Sequence, residues 1–198
     1  MNTVIRCATE ADGAALAAIY APAVLDSAIS FELLPPDGAA MGARVLATLS
    51  RWPWLVAESD GRVTGYAYAT RHRDREAYQW CVEVSVYIAA DARRTGAARA
   101  LYGALFELLR VQGFVNAYAG VTLPNAASVG LHETLGFRPV GHYPRIGFKF
   151  GAWHDVGWWV LVLQTPGDLP QPPTPFAELA DGPVCRRVLD AAGRNPGR

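Results

Sequence analysis

Apolar positions recur along the chain in two rhythms, one helical and one alternating. Leu16, Ile19, Tyr20 and Val24 fall at helical spacing behind Thr9 and Asp12, a capping residue and an acidic first turn. A helix is therefore expected over about residues 10–25. Residues 29–33 then read as extended. Pro35-Pro36-Asp37-Gly38 opens a second helix, with Met41, Val45, Leu46 and Leu49 on one stripe. The rhythm next shortens. Residues 54–58 and 62–69 are strand-length runs on either side of Asp60-Gly61, a dipeptide suited to a two-residue hairpin turn. A polar loop at 71–77 leads into a long strand at 79–88. After a turn at 91–95, Leu101, Leu105, Leu108 and Leu109 mark a helix over 96–112 that stops at Gly113. A strand at 115–122, a helix at 125–135 closed by Gly136, β structure from Phe137 and a last strand at 155–164 complete the pattern.

The predicted order is β-α-α-β-β-β-α-β-α-β-β. Helices and strands are mixed, but the strands begin with antiparallel hairpins. That predicts an α+β fold with a mixed, mostly antiparallel sheet, not a doubly wound parallel one. The character changes at Thr165. Pro166, Pro170, Pro172, Pro173, Pro175, Pro183 and Pro196 all follow it, half of the 14 prolines, so the chain divides into a domain at 1–164 and a Pro-rich tail at 165–198. Residues 184–192 read either as a short helix packed on the domain or on a partner, or as part of a weakly ordered extension.

Composition narrows the function. The 198 residues are 51% apolar, and 18 Lys and Arg balance 18 Asp and Glu. A nucleic-acid binder that works by neutralising phosphates needs a basic excess, and a disordered chain needs low hydrophobicity with high net charge. Cys7, Cys81 and Cys185 form no CxxC pair and read as incidental thiols of a reducing compartment. The start shows no basic segment leading into an apolar run, and no stretch reaches the ~18 apolar residues of a membrane span. A cytoplasmic protein is expected, with no membrane or nucleic-acid partner.

Two stretches carry candidate chemistry. In Val86-Tyr87-Ile88 followed by Asp91-Ala92-Arg93-Arg94-Thr95-Gly96-Ala97-Ala98-Arg99, a strand runs through a turn of small residues into a helix. The first amides of a helix lack internal partners and sit at the positive end of its dipole, so this reads either as an anion cradle to which Arg94 and Arg99 add charge or as an ordinary β-to-α turn with basic residues. It carries neither Gly-Lys-Ser/Thr nor GxGxxG. In the strand at 79–88, alternation places Gln79, Cys81, Glu83, Ser85 and Tyr87 on one face and Trp80, Val82, Val84, Val86 and Ile88 on the other. A carboxylate among such neighbours either lines a cleft, as a general base does, or pairs with an Arg of the 71–75 loop. His142, His154 and Asp155 lack metal-ligand spacing, so no metal is expected. Trp153, Trp158 and Trp159 read as cover for the core or for a dimer face.

Arg93-x-x-Gly96-x-Ala98, Asn125-Ala126-Ala127-Ser128 and Gly136-Phe137 resemble the signatures of the GCN5-related N-acetyltransferase superfamily, with Ala98 where Gly is usual. Trp54-Leu55-Val56-Ala57-Glu58, Gly65-Tyr66-Ala67-Tyr68-Ala69, the run from Tyr78 to Tyr87, Leu123-Pro124-Asn125, Leu131-His132-Glu133 and Trp153-His154-Asp155-Val156-Gly157 together resemble the phosphinothricin N-acetyltransferase family over roughly residues 3–164. The resemblance implies that fold, acetyl-CoA as donor, and direct transfer to a small amine such as phosphinothricin, methionine sulfoximine or a related amino acid. A peptide N-terminus or a non-catalytic CoA-binding role are the alternatives. It implies that Val86, Tyr87 and Ile88 lie along the pantetheine arm and that Arg94, Thr95, Gly96, Ala97, Ala98 and Arg99 surround the pyrophosphate. Asn125 then lies near the thiol end, and Ser128 is among the cofactor-binding residues. It places a catalytic Glu at Glu83. His132 occupies a position where many members carry a Tyr that protonates the departing thiolate; it is expected either to orient substrate, act as a second base or protonate sulfur, or to be a histidine satisfied at a helix–sheet contact. Phe31, Arg73, Arg75 and Tyr78 are implied around the acceptor, and a homodimer is implied as the assembly.

Overall fold

The computed structural model describes residues 3–194. Strands β1 (Thr3–Cys7), β2 (Trp54–Ser59), β3 (Arg62–Arg71) and β4 (Cys81–Ile88) form an antiparallel meander. β5 (Asn116–Leu123) joins β4 in parallel, and β7 (Ala152–Val162) and β6 (Arg138–Lys149) close the far side antiparallel. The sheet has seven strands in the order β1-β2-β3-β4-β5-β7-β6. The expected α+β class and mostly antiparallel sheet are both present. Asp60 (φ 51°) and Gly61 (φ 78°) make the β2–β3 turn with positive φ at both central positions, as that hairpin requires.

Helices cover both faces. α3 (Ala97–Gln112) makes the crossover between the parallel strands and packs Leu101, Leu105, Leu108 and Leu109 against Leu55, Ala67, Val82 and Val84. Burial of each such leucine contributes about 1.5–3 kcal/mol. α1 (Gly13–Leu25) and α2 (Gly38–Leu49) cover the opposite face over Trp54, Val56 and Tyr66. On α2, Met41 and Val45 are buried, but Leu46, expected on the same stripe, is exposed. α4 (Ala126–Thr134) follows β5.

Residues 29–33, expected to be extended, instead form no strand, with bends at Ile29, Ser30 and Leu33. Local bonds replace ladder partners here. The Ser30 amide donates to Ala23 O, and the Glu32 amide donates to Ser30 Oγ. Tyr20 Oη lies 2.6 Å from Ser30 Oγ, and Arg44 grips both oxygens of Glu32 at 2.7 and 3.0 Å. From β6, the buried Lys149 ammonium donates to Val24 O and Ser30 O at 2.6 and 2.7 Å. One hairpin thereby holds the loop that carries Phe31.

The segment after residue 164 folds back onto the domain. The Thr174 amide donates to Gln112 O and the Phe176 amide to Arg51 O. Gln112 Nε2 ties Arg51 O to Thr174 O at 2.8 Å each. Phe176 is fully buried in the core, and α5 (Pro183–Arg194) lies against β1 and α3. The free cysteines Cys7 and Cys185 meet at that contact. Among the described residues, no helix is long and apolar enough to cross a membrane.

Candidate active site

β4 and β5 pair only where Cys81, Val82 and Glu83 face Asn116, Ala117 and Tyr118. Beyond that point β4 stays with β3 and β5 stays with β7, so the sheet opens as a wedge. The β4 edge from Val84 to Ile88 is left without a ladder partner on this side. Such an edge is a template for an extended chain that carries amides. Inside the wedge is a cavity of about 60 Å³ lined in part by Ser85, Tyr102, Asn125, Ser128 and His132. Through Val86, Tyr87, Asn125 and Ser128 it joins a cavity of about 840 Å³, which also touches Ile88 and Ala98. That in turn adjoins a cavity of about 1010 Å³ around the turn at 90–99. The proposed cofactor residues therefore share one continuous channel.

The turn at the channel's outer end leads directly into α3. Arg94 (φ 64°) and Gly96 (φ 91°) are left-handed, and α3 begins at the next residue with no side-chain cap. Gly96 adopts this conformation without a Cβ clash, leaving the first α3 amides free of cap partners. Arg93, Arg94 and Arg99 are exposed, whereas Ala97 is buried in the core. Thr95 Oγ1 donates to Ala92 O at 2.8 Å, so its side chain closes the turn. Asn125 caps α4 by accepting from the Ser128 amide at 3.1 Å.

Glu83 stands at the point where the strands part. Its side chain is half-buried, and desolvation raises its carboxyl above the usual range, opposed in part by the Arg73 charge. The sequence left open an Arg partner from the neighbouring loop. The nearest cationic or imidazole nitrogen is instead His72 Nδ1, 3.9 Å from Glu83 Oε2. The His72 ring stacks on Tyr118 with centroids 4.3 Å apart and meets Trp158 edge-on at 5.5 Å. Burial, then the Arg73 charge, lower the His72 imidazole below its ordinary value. His72 escaped the sequence analysis as a site residue because its contacts depend on the order of strands across the sheet. Its only local signal is that it shares strand parity with Thr70, the β3 partner of Glu83.

His132 is buried on α4 with both ring nitrogens engaged. Nδ1 lies 2.8 Å from Ser128 O, so it carries the proton. Nε2 then accepts from the Tyr102 hydroxyl at 3.1 Å. Burial lowers the His132 imidazole below its ordinary value, with the Ser128 carbonyl opposing.

The four expected acceptor residues are not gathered at one point. Arg73 lies within electrostatic reach of Glu83 and donates to Tyr143 Oη at 3.4 Å. Arg75 lines a separate cavity of about 490 Å³, shared by Arg73, between the loop and Pro173–Pro175. Tyr78 is exposed at the end of a short 3-10 turn. Phe31 lies across Gly147 near His154, with a ring separation of 6.3 Å to the latter. Among the described residues, no group of three or more His, Cys, Asp or Glu could hold a metal ion. His142 pairs with Asp155 at 2.8 Å, and His154 donates to Lys149 O at 3.0 Å. Of the three tryptophans, Trp159 is core, Trp158 covers Gly120 and Trp153 is exposed beside Phe148.

Residues 5–158 match the family described as an acetyltransferase (GNAT) domain. The chain belongs to the GNAT acetyltransferase family. This GNAT chain is 40% identical over 171 residues to a phosphinothricin N-acetyltransferase of Streptomyces viridochromogenes, covering 86% of the chain and 91% of that protein. It is 39% identical over 166 residues to an L-methionine sulfoximine/L-methionine sulfone acetyltransferase of Pseudomonas aeruginosa, covering 82% and 96%. Its fold superposes with a TM-score of 0.80 on a phosphinothricin acetyltransferase of Sinorhizobium meliloti solved in complex with AcCoA. That pair shares 32% identity and covers 89% of this chain and 99% of the other.

Proposed function

We propose that this protein transfers the acetyl group of acetyl-CoA to the amino group of a small amino-acid-like acceptor, with Glu83 as general base. The observation that carries the reading is Glu83 itself, a partly desolvated carboxylate at the mouth of the β4–β5 wedge. An ammonium ion has no lone pair for attack, so a base must first remove a proton, and a carboxylate of raised pKa suits that task. Glu83 takes the proton, directly or through water. The amine nitrogen bonds to the thioester carbon, and a strand amide near Tyr87 or Ile88 steadies the developing oxyanion. The C–S bond breaks, and the thiolate takes up a proton. No acyl-enzyme and no metal are needed.

The channel supports the donor assignment. The α3 turn from Arg94 to Arg99 receives the diphosphate, and the unpaired β4 edge at Val86, Tyr87 and Ile88 meets the amides of the pantetheine arm. Asn125, Ser128 and His132 lie near the thiol end. Arg73 supplies a guanidinium for an acceptor carboxylate or phosphinate, with Arg75, Tyr78 and Phe31 farther out. The names of the relatives support phosphinothricin and methionine sulfoximine as acceptors. Val140, Ile146 and Phe148 along β6 and Trp153 at the start of β7 are exposed, which supports a homodimer through this edge.

The test combines a variant with an acceptor panel. Glu83→Gln is expected to keep acetyl-CoA binding and to lower turnover about 10²–10⁴-fold; an unchanged rate removes Glu83 from the mechanism. CoA release with phosphinothricin, methionine sulfoximine, free amino acids and short peptides identifies the acceptor class. Faster reaction with peptides overturns the amino-acid assignment. Release with no amine overturns the enzyme reading.

A further inference from the structure

We propose that His72 is the positioning residue of Glu83: its Nδ1–H donates to Glu83 Oε2 and holds the carboxylate where it meets the acceptor's ammonium group. The proposal rests on Glu83 being the base. Three observations carry it. Nδ1 faces Oε2 at 3.9 Å. The His72 side chain is only 10% exposed. Its Nδ1 is a buried nitrogen without any hydrogen-bond partner in the protein. A buried ring nitrogen without a partner carries a desolvation cost, so such a group persists where it has a use.

The surroundings leave the ring few other options. Tyr118 covers one face, and Trp158 abuts it edge-on. Bringing Nδ1 to hydrogen-bond distance requires a displacement on the order of 1 Å, the kind of tightening that active sites undergo when substrate arrives. The charged and titratable groups facing the pair are Arg73 on the same loop, Tyr118 on β5, Tyr68 on β3 and Tyr102 on α3. β7 contributes uncharged Trp158, and β6 contributes Tyr143, which packs on Trp158 and accepts from Arg73. Burial beside Arg73 keeps the imidazole neutral. It therefore offers Glu83 a proton to share without adding a second cation. A donor to the ionised carboxylate favours that form and opposes the upward push of desolvation. His72 thus keeps the base ionised enough to act near neutral pH, and it fixes which oxygen points at the amine.

The experiment compares His72→Phe and His72→Asn with Glu83→Gln in the full chain, using acetyl-CoA and methionine sulfoximine across pH. His72→Phe keeps an aromatic ring on Tyr118 but loses the nitrogen. It is expected to lower kcat about tenfold, leave KM for acetyl-CoA unchanged, and move the acid limb of kcat/KM upward by about one pH unit. His72→Asn, whose amide falls near the place of Nδ1, is expected to restore part of the limb. A His72→Phe enzyme with wild-type kcat and an unmoved limb overturns the proposal. A Glu83→Gln enzyme at full rate overturns the base assignment instead, which keeps the two failures apart. Nitrogen-15 spectra of the histidines in the unmutated protein supply a readout that requires no variant to fold. The neutral, Nδ1-protonated tautomer is expected for His72, and the Nε2-protonated one overturns the proposal.

Discussion

Tyr102 gives its hydroxyl proton to His132 Nε2 at 3.1 Å, inside the cavity where β4 and β5 diverge. With Nδ1–H already given to Ser128 O, the imidazole is neutral and saturated. It is a fixed strut between α3 and α4, and in this tautomer its Nε2 carries no proton to give.

Replacing Tyr102 with Phe leaves the Nε2 lone pair buried and unmet. The expected loss is about 1–3 kcal/mol of stability, read from urea denaturation. A variant as stable as the parent shows that water reaches Nε2.

Glu83 makes a prediction about stability as well as rate. Its carboxyl is raised in the folded protein, chiefly by desolvation. The folded state therefore holds a proton over a pH range where the unfolded chain, near pH ~4.3, has lost it. That contribution to stability is present below the unfolded value and is lost as pH rises through the folded one. At neutral pH the ionised form is held at a cost. Glu83→Gln is expected to raise Tm at pH 7 while destroying turnover, and the gain should fade toward pH 4. A Tm gain that is the same at both pH values assigns it to packing instead.

Ala98 separates folding from donor binding. It lies in the first turn of α3 and borders both outer cavities. An Asp here meets the positive end of the helix dipole, which favours the fold by about 0.3–1 kcal/mol. The same charge repels a diphosphate. Ala98→Asp is expected to keep or raise Tm and to weaken acetyl-CoA at least about tenfold by calorimetry. Undiminished affinity moves the diphosphate away from this turn.

The C-terminal segment is part of the folding unit. Phe176 is fully buried against the core that α3 builds. Phe176→Ala is expected to cost about 3–5 kcal/mol in equilibrium unfolding. A loss below about 1 kcal/mol shows that the segment detaches without consequence for the domain.

Element types were legible because their signals are local. The Asp60-Gly61 turn, the leucine stripe of α3 and the alternation through Glu83 each lie within a few residues of chain. Side-chain parity placed Glu83 and Tyr87 on the face away from Val82 and Val84, where the structure has them. What stayed hidden is what distant segments do to one another. His72 meets Tyr118 only because β4 lies between β3 and β5. The wedge exists because two strands stop pairing after three residues, and nothing in either strand's composition marks that point. The bends at 29–33 and the seat of Phe176 depend on Lys149, Arg44 and Gln112, each remote in sequence.

Gly147 faces Phe31 so closely that a Cβ added there would fall 2.3 Å from the ring. A single hydrogen is the whole allowance at that position, and even alanine evicts the aromatic. The Lys149 ammonium holds the backbone of the opposing loop at Ser30, so the ring, not the loop, is the wall that moves. A change at either of these two positions therefore re-aims the ring of residue 31 and so reshapes what this end of the molecule admits.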